Sequence, residues 1–230
     1  MENAILMASG LGTRMRPLTE KRPKPLIEVN GQPMIETIIE GLLRRDEVNL
    51  YIVVGYLGEQ FKYLKNKYPR ISIINNTDYE TVNNISSVYA AREVLSKGDC
   101  FICEADLFVS DKQIFDAALT DSCYFGKMVK EHSDDWVFDL DENGHITRIG
   151  KVGDCQYNMV GIAYFKQADA EKLAQVIAVE YGSPGFESLF WDDVVNRHIK
   201  EFKLRIHPVD GRQIVEIDTI EELNAINNIR

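Results

Sequence analysis

Glycines and cations are concentrated in one stretch near the start of the chain, ASGLGTRMRPLTEKRPKPL (residues 8–26). This stretch follows a short apolar run and contains two glycines, five Lys or Arg residues and one acidic residue. Glycines placed after a first parallel strand let a phosphate approach the backbone, so that N–H groups point at its oxygens. Arg14, Arg16 and Lys24 add positive charge, and a guanidinium suits bidentate contact with phosphate. The stretch therefore predicts a polyphosphate cradle.

Two common phosphate-binding loops do not match this stretch. The dinucleotide fingerprint is G-x-G-x-x-G, but Gly10 and Gly12 are followed by Met15 at the third glycine position. The Walker A pattern, G-x-x-x-x-G-K-[ST], does not occur in the chain. On the two glycines alone, an ordinary turn with solvated basic residues remains the alternative to a phosphate site.

Both tryptophans of the chain lie beside paired aspartates, in SDDWVFDL (133–140) and ESLFWDDVV (187–195). Aromatic faces attract a quaternary ammonium through cation–π interaction, and carboxylates supply net negative charge. Trp136 and Trp191, with the neighbouring Phe190, therefore predict a pocket for a cationic headgroup. The alternative is that Trp191 packs in the core of an amphipathic helix and that the aspartates are solvated.

Bulk composition narrows the class of protein. The chain has 230 residues, of which 45% are hydrophobic and 27% charged, and this is typical of one α/β domain over residues 1–230. The net charge is −10 and no basic stripe follows residue 26, so nucleic acid is not an expected partner. The sequence shows neither a spanning apolar run nor a signal-peptide pattern, so we expect a cytoplasmic protein without membrane insertion.

A C-x-x-C pair, Cys100 and Cys103, lies in the predicted strand CFICEAD. Residues three apart on a strand point to opposite faces, whereas a redox or zinc pair needs converging sulfurs. We therefore expect both cysteines to be structural.

Apolar runs alternate with segments of helical periodicity in the first half of the chain. Strands are predicted at 3–8, 50–55, 71–75 and 100–106, and helices at 33–45, 58–68, 85–95 and 111–119. This alternation predicts a mostly parallel sheet with helices on both faces. The second half predicts a smaller β-rich insertion with a turn at Asn143–Gly144, followed by helices at 169–181 and 187–199, strands near 202–207 and 214–217, and a last helix from Ile220.

The N-terminal string resembles the signature of the nucleotidyltransferase family, the nucleoside-diphosphate-sugar pyrophosphorylases. The family blocks G-x-G-[ST]-R-x-x-P-L-T, P-K-P-L and G-x-P-[ML]-[IL] occur in order within residues 6–36. The segments VVGY (53–56), EAD (104–106) and EID (216–218) extend the resemblance over nearly the whole chain. The resemblance implies a Rossmann-like sheet and transfer of a nucleoside monophosphate from an NTP to a phosphorylated acceptor, with release of pyrophosphate.

The resemblance also implies a metal cofactor. In the family two aspartates hold Mg²⁺, and here these are Asp106 and Asp218. Catalysis would consist mainly of positioning and of charge neutralisation at the α-phosphorus. Without the resemblance, Asp106 is typical of a strand-end cap, and Asp218 of the N-cap of the last helix.

Contacts with the nucleotide are likewise implied by the resemblance. Arg14 would contact the pyrophosphate leaving group, and Lys24 would reach the α-phosphate or the acceptor phosphate. Arg16 and Lys21 are expected to be surface charges. The base and ribose are expected near Ala8, Gly55 and residues 79–87. The other expected nucleotide contacts are Ala8, Ser9, Gly10, Gly12, Thr13, Gly55, Asn84 and Ser87.

Within the family, the chain resembles the short bacterial enzymes that transfer CMP from CTP to phosphocholine. The shared features are W-D-[ND]-x-V at residue 191, E-I-D-[ST] at residue 216 and a tryptophan near residue 136. The resemblance implies CDP-choline and pyrophosphate as products, and it places around the trimethylammonium Trp136, Phe190, Trp191, Asp192 and Glu216. The alternatives are a sugar 1-phosphate, phosphoethanolamine or an aminophosphonate as acceptor, or a nucleotide-binding module without catalysis.

Overall fold

The computed structural model describes residues 1–227, and a seven-stranded sheet forms its centre. The strands are β1 (Glu2–Ala8), β2 (Glu28–Val29), β3 (Gln32–Pro33), β4 (Val48–Val54), β5 (Ile71–Asn75), β6 (Cys100–Glu104), β7 (Leu107–Val109), β8 (Cys123–Leu140), β9 (Ile146–Phe165), β10 (Arg205–Pro208) and β11 (Ile214–Glu216). The helices are α1 (Met34–Leu42), α2 (Leu64–Lys67), α3 (Ile85–Ala90), α4 (Arg92–Leu95), α5 (Gln167–Glu180), α6 (Trp191–Arg197) and α7 (Ile220–Asn227).

The order of strands in the central sheet is β10-β8-β9-β6-β1-β4-β5. Strand β9 runs antiparallel to β6 and β8, whereas the other adjacent pairs are parallel. The predicted mixed, mostly parallel sheet is therefore confirmed. The long β8–β9 hairpin forms the β-rich part of the second half, and its turn contains Gly144 at a φ of 77°.

Apolar cores cover both faces of this sheet. Helix α1 buries Ile35 and Ile38 on one face, and helices α5 and α6 bury Leu173 and Val194 on the other. Cys103 packs in the first core and Cys100 in the second, so the expected divergence of the two thiols is confirmed. No helix within residues 1–227 has both the length and the apolar character needed to cross a membrane.

Several helices are shorter than the periodicity predicts. The 111–119 segment is reduced to one 3₁₀ turn, Lys112–Phe115, which begins at the side-chain cap of Asp111 and is followed by Asp116, paired with Arg44. The 85–95 segment is divided at Ala91 into α3 and α4, and residues 58–68 form a 3₁₀ turn followed by α2. The 187–199 helix begins later, at residue 191.

Two features of the fold bring distant parts of the chain to one edge of the sheet. Strands β1, β4 and β6 are parallel neighbours, so their carboxyl ends meet there. The small antiparallel pair β7–β11 aligns Leu107 with Glu216, which places Asp106 beside Asp218. Met15 and Ile217 are buried in one further apolar cluster, which fixes the glycine-rich loop to the C-terminal segment.

Candidate active site

A pocket of about 440 Å³ opens at this edge of the sheet. Its volume is in the usual range for small-molecule sites. Of the residues predicted to contact nucleotide or metal, those that line the pocket are Ala8, Ser9, Gly10, Gly12, Thr13, Arg14, Lys24, Asn84, Ser87, Asp106 and Asp218. The structure therefore brings together the N-terminal loop, the segment after β5 and the two aspartates.

Lys24 forms the centre of the charged part of this pocket. The residue is 6% exposed, and its Nζ lies 2.7 Å from Asp106 Oδ2 and 2.6 Å from Asp218 Oδ1. Arg14 donates to the other oxygen of Asp218 at 2.5 Å. Burial lowers the pKa of Lys24, but the two carboxylates outweigh burial and hold the pKa above its ordinary value. Lys24 therefore keeps its positive charge and lies between the two predicted metal ligands.

Gly12 allows the loop to pass close to this lysine. Its φ is +61°, and a Cβ at this position would lie 3.0 Å from both Lys24 Cβ and Thr19 Cγ2. The Thr19 hydroxyl donates to the Gly12 carbonyl at 2.8 Å and holds the loop in this shape. A side chain at residue 12 would therefore strain the backbone and displace the lysine. Arg16 and Lys21 are exposed, as predicted.

Small polar side chains order the opposite wall of the pocket. Ser9 Oγ donates to the Val53 carbonyl at 3.1 Å, and Ser87 Oγ donates to Ser9 Oγ at 3.3 Å. Asn76 Nδ2 donates to Ser87 Oγ at 3.3 Å. Asn84 Oδ1 accepts the backbone N–H of Trp191 at 3.0 Å, so this side chain ties the wall to α6.

Gly55 supports the pocket without lining it. A Cβ on Gly55 would lie 2.5 Å from Cγ of Tyr79, so the glycine lets this ring pack against the end of β4. Asn83, within the expected segment 79–87, also lines the pocket, whereas sequence reasoning missed Asn76. The signal that could have found Asn76 is the string NNTDYETVNN, which begins at the last residue of β5.

Further carboxylates surround the lysine–aspartate group. Desolvation by burial and the negative charges of Asp106 and Glu216 raise the pKa of Glu104 well above its ordinary value. Desolvation and the charges of Asp106 and Asp218 raise the pKa of Glu216 to about 7, although the residue is exposed and does not line the pocket. Glu104 lines the pocket and was not predicted as a site residue. The sequence feature that could have identified Glu104 is the EAD segment (104–106), in which it precedes Asp106.

The donor set fits Mg²⁺. Asp106 and Asp218 offer two hard carboxylates, and Mg²⁺ is commonly bound by one or two carboxylates together with water and substrate phosphates. Within residues 1–227 no group of three or more His, Cys, Asp or Glu side chains is arranged to hold a metal by itself. The arrangement is thus suited to a metal that shares its ligands with a nucleotide.

Two of the predicted headgroup residues meet in space. The rings of Trp136 and Phe190 are 5.6 Å apart and pack edge to face. The ammonium of Lys151 lies 5.4 Å from the centroid of Trp136 and 5.6 Å from that of Phe190. The aromatic pair therefore already contacts a cation of the chain itself.

The structure does not bring Trp191 or Asp192 into the predicted cage. Trp191 is 3% exposed, and its ring stacks on Tyr124 with centroids 5.7 Å apart. Asp192 is 2% exposed and accepts the Tyr124 hydroxyl at 3.1 Å. Burial raises the pKa of Asp192 to about 7. The reason is the direction of α6: Trp191, Val194 and Val195 occupy its buried face.

Comparisons with known proteins identify the family of this chain. Residues 3–142 match the family described as nucleotidyl transferase, and the chain belongs to that family. It is 54% identical over 226 residues to a 2-aminoethylphosphonate cytidylyltransferase of Lancefieldella rimae, covering 98% of this chain and 92% of that protein. It is 34% identical over 226 residues to a choline-phosphate cytidylyltransferase of Streptococcus pneumoniae, covering 98% and 97%.

A solved structure shows the same fold. The CTP:phosphocholine cytidylyltransferase of Streptococcus pneumoniae (LicC) superposes with a TM-score of 0.90 at 33% identity, covering 99% of this chain and 98% of that chain. The predicted family and its Rossmann-like fold are therefore confirmed. The protein is a nucleotidyltransferase, and the two named relatives differ in the acceptor that they use.

Proposed function

We propose that this nucleotidyltransferase transfers CMP from CTP to 2-aminoethylphosphonate and releases pyrophosphate. In this reaction a phosphonate oxygen forms a bond to the α-phosphorus of CTP. The bond from that phosphorus to the oxygen that bridges to the β-phosphate breaks, and the bridging oxygen leaves with its electron pair on pyrophosphate. The proposal is supported by the relative with 54% identity, and both named relatives are cytidylyltransferases.

The observation that carries the choice of acceptor is the position of Lys151. A trimethylammonium has no N–H and depends on aromatic faces, but Lys151 lies over both Trp136 and Phe190. A primary ammonium has three N–H donors and requires oxygen acceptors instead. The pocket supplies such an acceptor in Glu104, close to the negative charge of Glu216. The geometry thus favours a primary amine over choline.

The roles of the loop residues follow from charge and placement. The backbone around Gly10 and Gly12 binds the triphosphate, and Arg14 neutralises the departing pyrophosphate. Lys24 moves from the aspartates to the α-phosphate, where its charge stabilises the transition state. Asp106 and Asp218 would hold Mg²⁺, which would supply further charge neutralisation at the phosphates.

Phosphocholine is the second candidate acceptor. One observation favours it: Trp136 and Phe190 remain in contact with each other, and Lys151 is an exposed side chain that a ligand could displace. The relative with 34% identity and the structure with a TM-score of 0.90 use this acceptor.

A substrate grid tests the proposal. Pyrophosphate release is measured with Mg²⁺ for the four NTPs, each combined with 2-aminoethylphosphonate, phosphoethanolamine, phosphocholine and glucose 1-phosphate. We expect the highest kcat/KM for CTP with 2-aminoethylphosphonate. A higher value for phosphocholine would reverse the order of the two candidates, and a higher value for the sugar phosphate would refute both. Nucleotide binding without turnover for any acceptor would indicate a non-catalytic module.

A further inference from the structure

Glu104 is the last residue of β6, and its side chain lines the catalytic pocket next to the lysine–aspartate group. Two of the neighbouring carboxylates are already bonded, Asp106 to Lys24 and Asp192 to Tyr124, and the third, Glu216, does not line the pocket. Hydrogen bonds from other side chains or backbone groups of residues 1–227 do not reach the Glu104 carboxylate, and the charges around it are mostly negative. Lys24, the cation nearest to it, has its N–H groups directed at the two aspartates. The Glu104 carboxyl therefore has no hydrogen-bond partner within residues 1–227 and offers an acceptor oxygen to a ligand in the pocket.

Gly161 on β9 makes room for this carboxylate. Its φ is +77°, and a Cβ at this position would lie 2.9 Å from Glu104 Oε2 and 3.1 Å from Leu107 Cδ1. The pairing of β8 with β9 is irregular here, since Tyr124 is opposite Ala163 and Gly126 is opposite Met159. The glycine thus combines a backbone shape that other residues rarely adopt with the space that the acidic group occupies.

We propose that Glu104 binds the ammonium of the acceptor and that Gly161 positions its carboxylate for this contact. The inference rests on the proposed function, in which the acceptor carries a primary amine. A charge-assisted hydrogen bond from the ammonium to Glu104 discriminates a primary amine from an acceptor without N–H groups.

The test compares acceptors that differ in the amine. One pair is 2-aminoethylphosphonate with ethylphosphonate, and the other is phosphoethanolamine with phosphocholine. The variants are Glu104→Gln, Glu104→Asp and Gly161→Ala, with Glu142→Gln as control, because Glu142 lies in the exposed hairpin turn. The kcat/KM of each acceptor is measured at saturating CTP together with the KM of CTP, and thermal unfolding confirms that each variant is folded.

We expect Glu104→Gln to lower kcat/KM for the amine member of each pair by about tenfold or more, with a much smaller change for its partner. Gly161→Ala should act in the same direction, Glu104→Asp should retain part of the preference, and the control should match the wild type. Equal losses for both members of a pair, a raised KM for CTP alone, or an unchanged preference would overturn the role of Glu104.

Failure of the proposed function gives a different result in the same assay. A wild-type enzyme that prefers phosphoethanolamine to 2-aminoethylphosphonate would refute the phosphonate acceptor, and the second acceptor pair would still test Glu104. A wild-type enzyme that uses neither amine would overturn both proposals.

Discussion

The ammonium of Lys24 lies 2.6 Å from a carboxylate oxygen of Asp218, although the two residues are 194 positions apart in the chain. The same ammonium lies 2.7 Å from Asp106. It therefore occupies the space between the two carboxylates that fit Mg²⁺. A lysine so placed keeps the carboxylates together before substrate binds, and a triphosphate offers it a new anionic partner.

Replacement of Lys24 separates its role in holding the two carboxylates together from its role at the triphosphate. We expect Lys24→Met to lower kcat by about 10²–10³-fold, because a charge that stabilises the transition state is lost. The same variant should bind free Mn²⁺ more tightly than the wild type, since no ammonium competes for Asp106 and Asp218. Electron paramagnetic resonance of Mn²⁺ in the absence of nucleotide measures this binding. Lys21→Met, exposed in the same loop, is the matched control, and unchanged Mn²⁺ binding in Lys24→Met would contradict the competition.

The close approach at Gly12 gives a prediction for stability. Gly12→Ala should lower the free energy of unfolding by about 1–3 kcal/mol, because φ is +61° and the new methyl group would lie 3.0 Å from Lys24 Cβ. Gly10→Ala is the control, since no atom lies within 4 Å of a Cβ at that position. Urea denaturation measures both variants. Similar losses for the two would show that the contact with Lys24 is not the cause.

The buried carboxyl of Asp192 makes stability depend on pH. Burial raises its pKa to about 7 in the folded protein, so the folded state binds this proton more tightly than the unfolded state. The contribution of protonated Asp192 to the free energy of unfolding is therefore complete at low pH and is lost as pH rises from about 4 to about 7. Asp192→Asn should remove this dependence and be more stable than the wild type at pH 8 by roughly 1–4 kcal/mol.

Urea denaturation at a series of pH values measures this effect, with the exposed Asp121→Asn as control. Retention of the wild-type pH dependence in Asp192→Asn would assign the dependence to another group.

The position of Lys151 over the aromatic pair indicates how the acceptor preference could be shifted toward phosphocholine. Lys151→Ala should free the faces of Trp136 and Phe190 for the trimethylammonium. We expect kcat/KM for phosphocholine to rise by about 2–30-fold, which corresponds to the free energy of one cation–π contact. The kcat/KM for 2-aminoethylphosphonate should change little. Lys130→Ala, exposed on the same hairpin, is the control. An equal gain for both acceptors would show that Lys151 does not protect the aromatic pair from choline.

Local patterns predicted the fold and the N-terminal loop because both depend on neighbours in sequence. Alternating apolar segments fixed the parallel strands, and their carboxyl ends had to meet beside Gly10 and Gly12. The buried side of α6 could also have been predicted from the sequence. Trp191, Val194 and Val195 have the i, i+3, i+4 spacing of a helix face that packs in the core. Phe190 precedes α6 and has an extended backbone, so its side chain is separated from the buried ring of Trp191.

Other parts of the site depend on contacts between distant segments. Glu104 follows four buried residues of β6, so its sequence context resembles core, and the space beside it is created by Gly161 on another strand. The placement of Lys151 over Trp136 depends on the irregular register of the β8–β9 hairpin, which no local pattern encodes.

The most direct measurement of the proposed reaction is an internal competition. Equimolar 2-aminoethylphosphonate and phosphocholine are mixed with limiting CTP, Mg²⁺ and the full-length enzyme, and ³¹P NMR follows the two cytidylyl products in one tube. The ratio of initial rates equals the ratio of the two kcat/KM values. The account predicts that the cytidylyl ester of 2-aminoethylphosphonate forms first and in excess. Preferential formation of CDP-choline would contradict it.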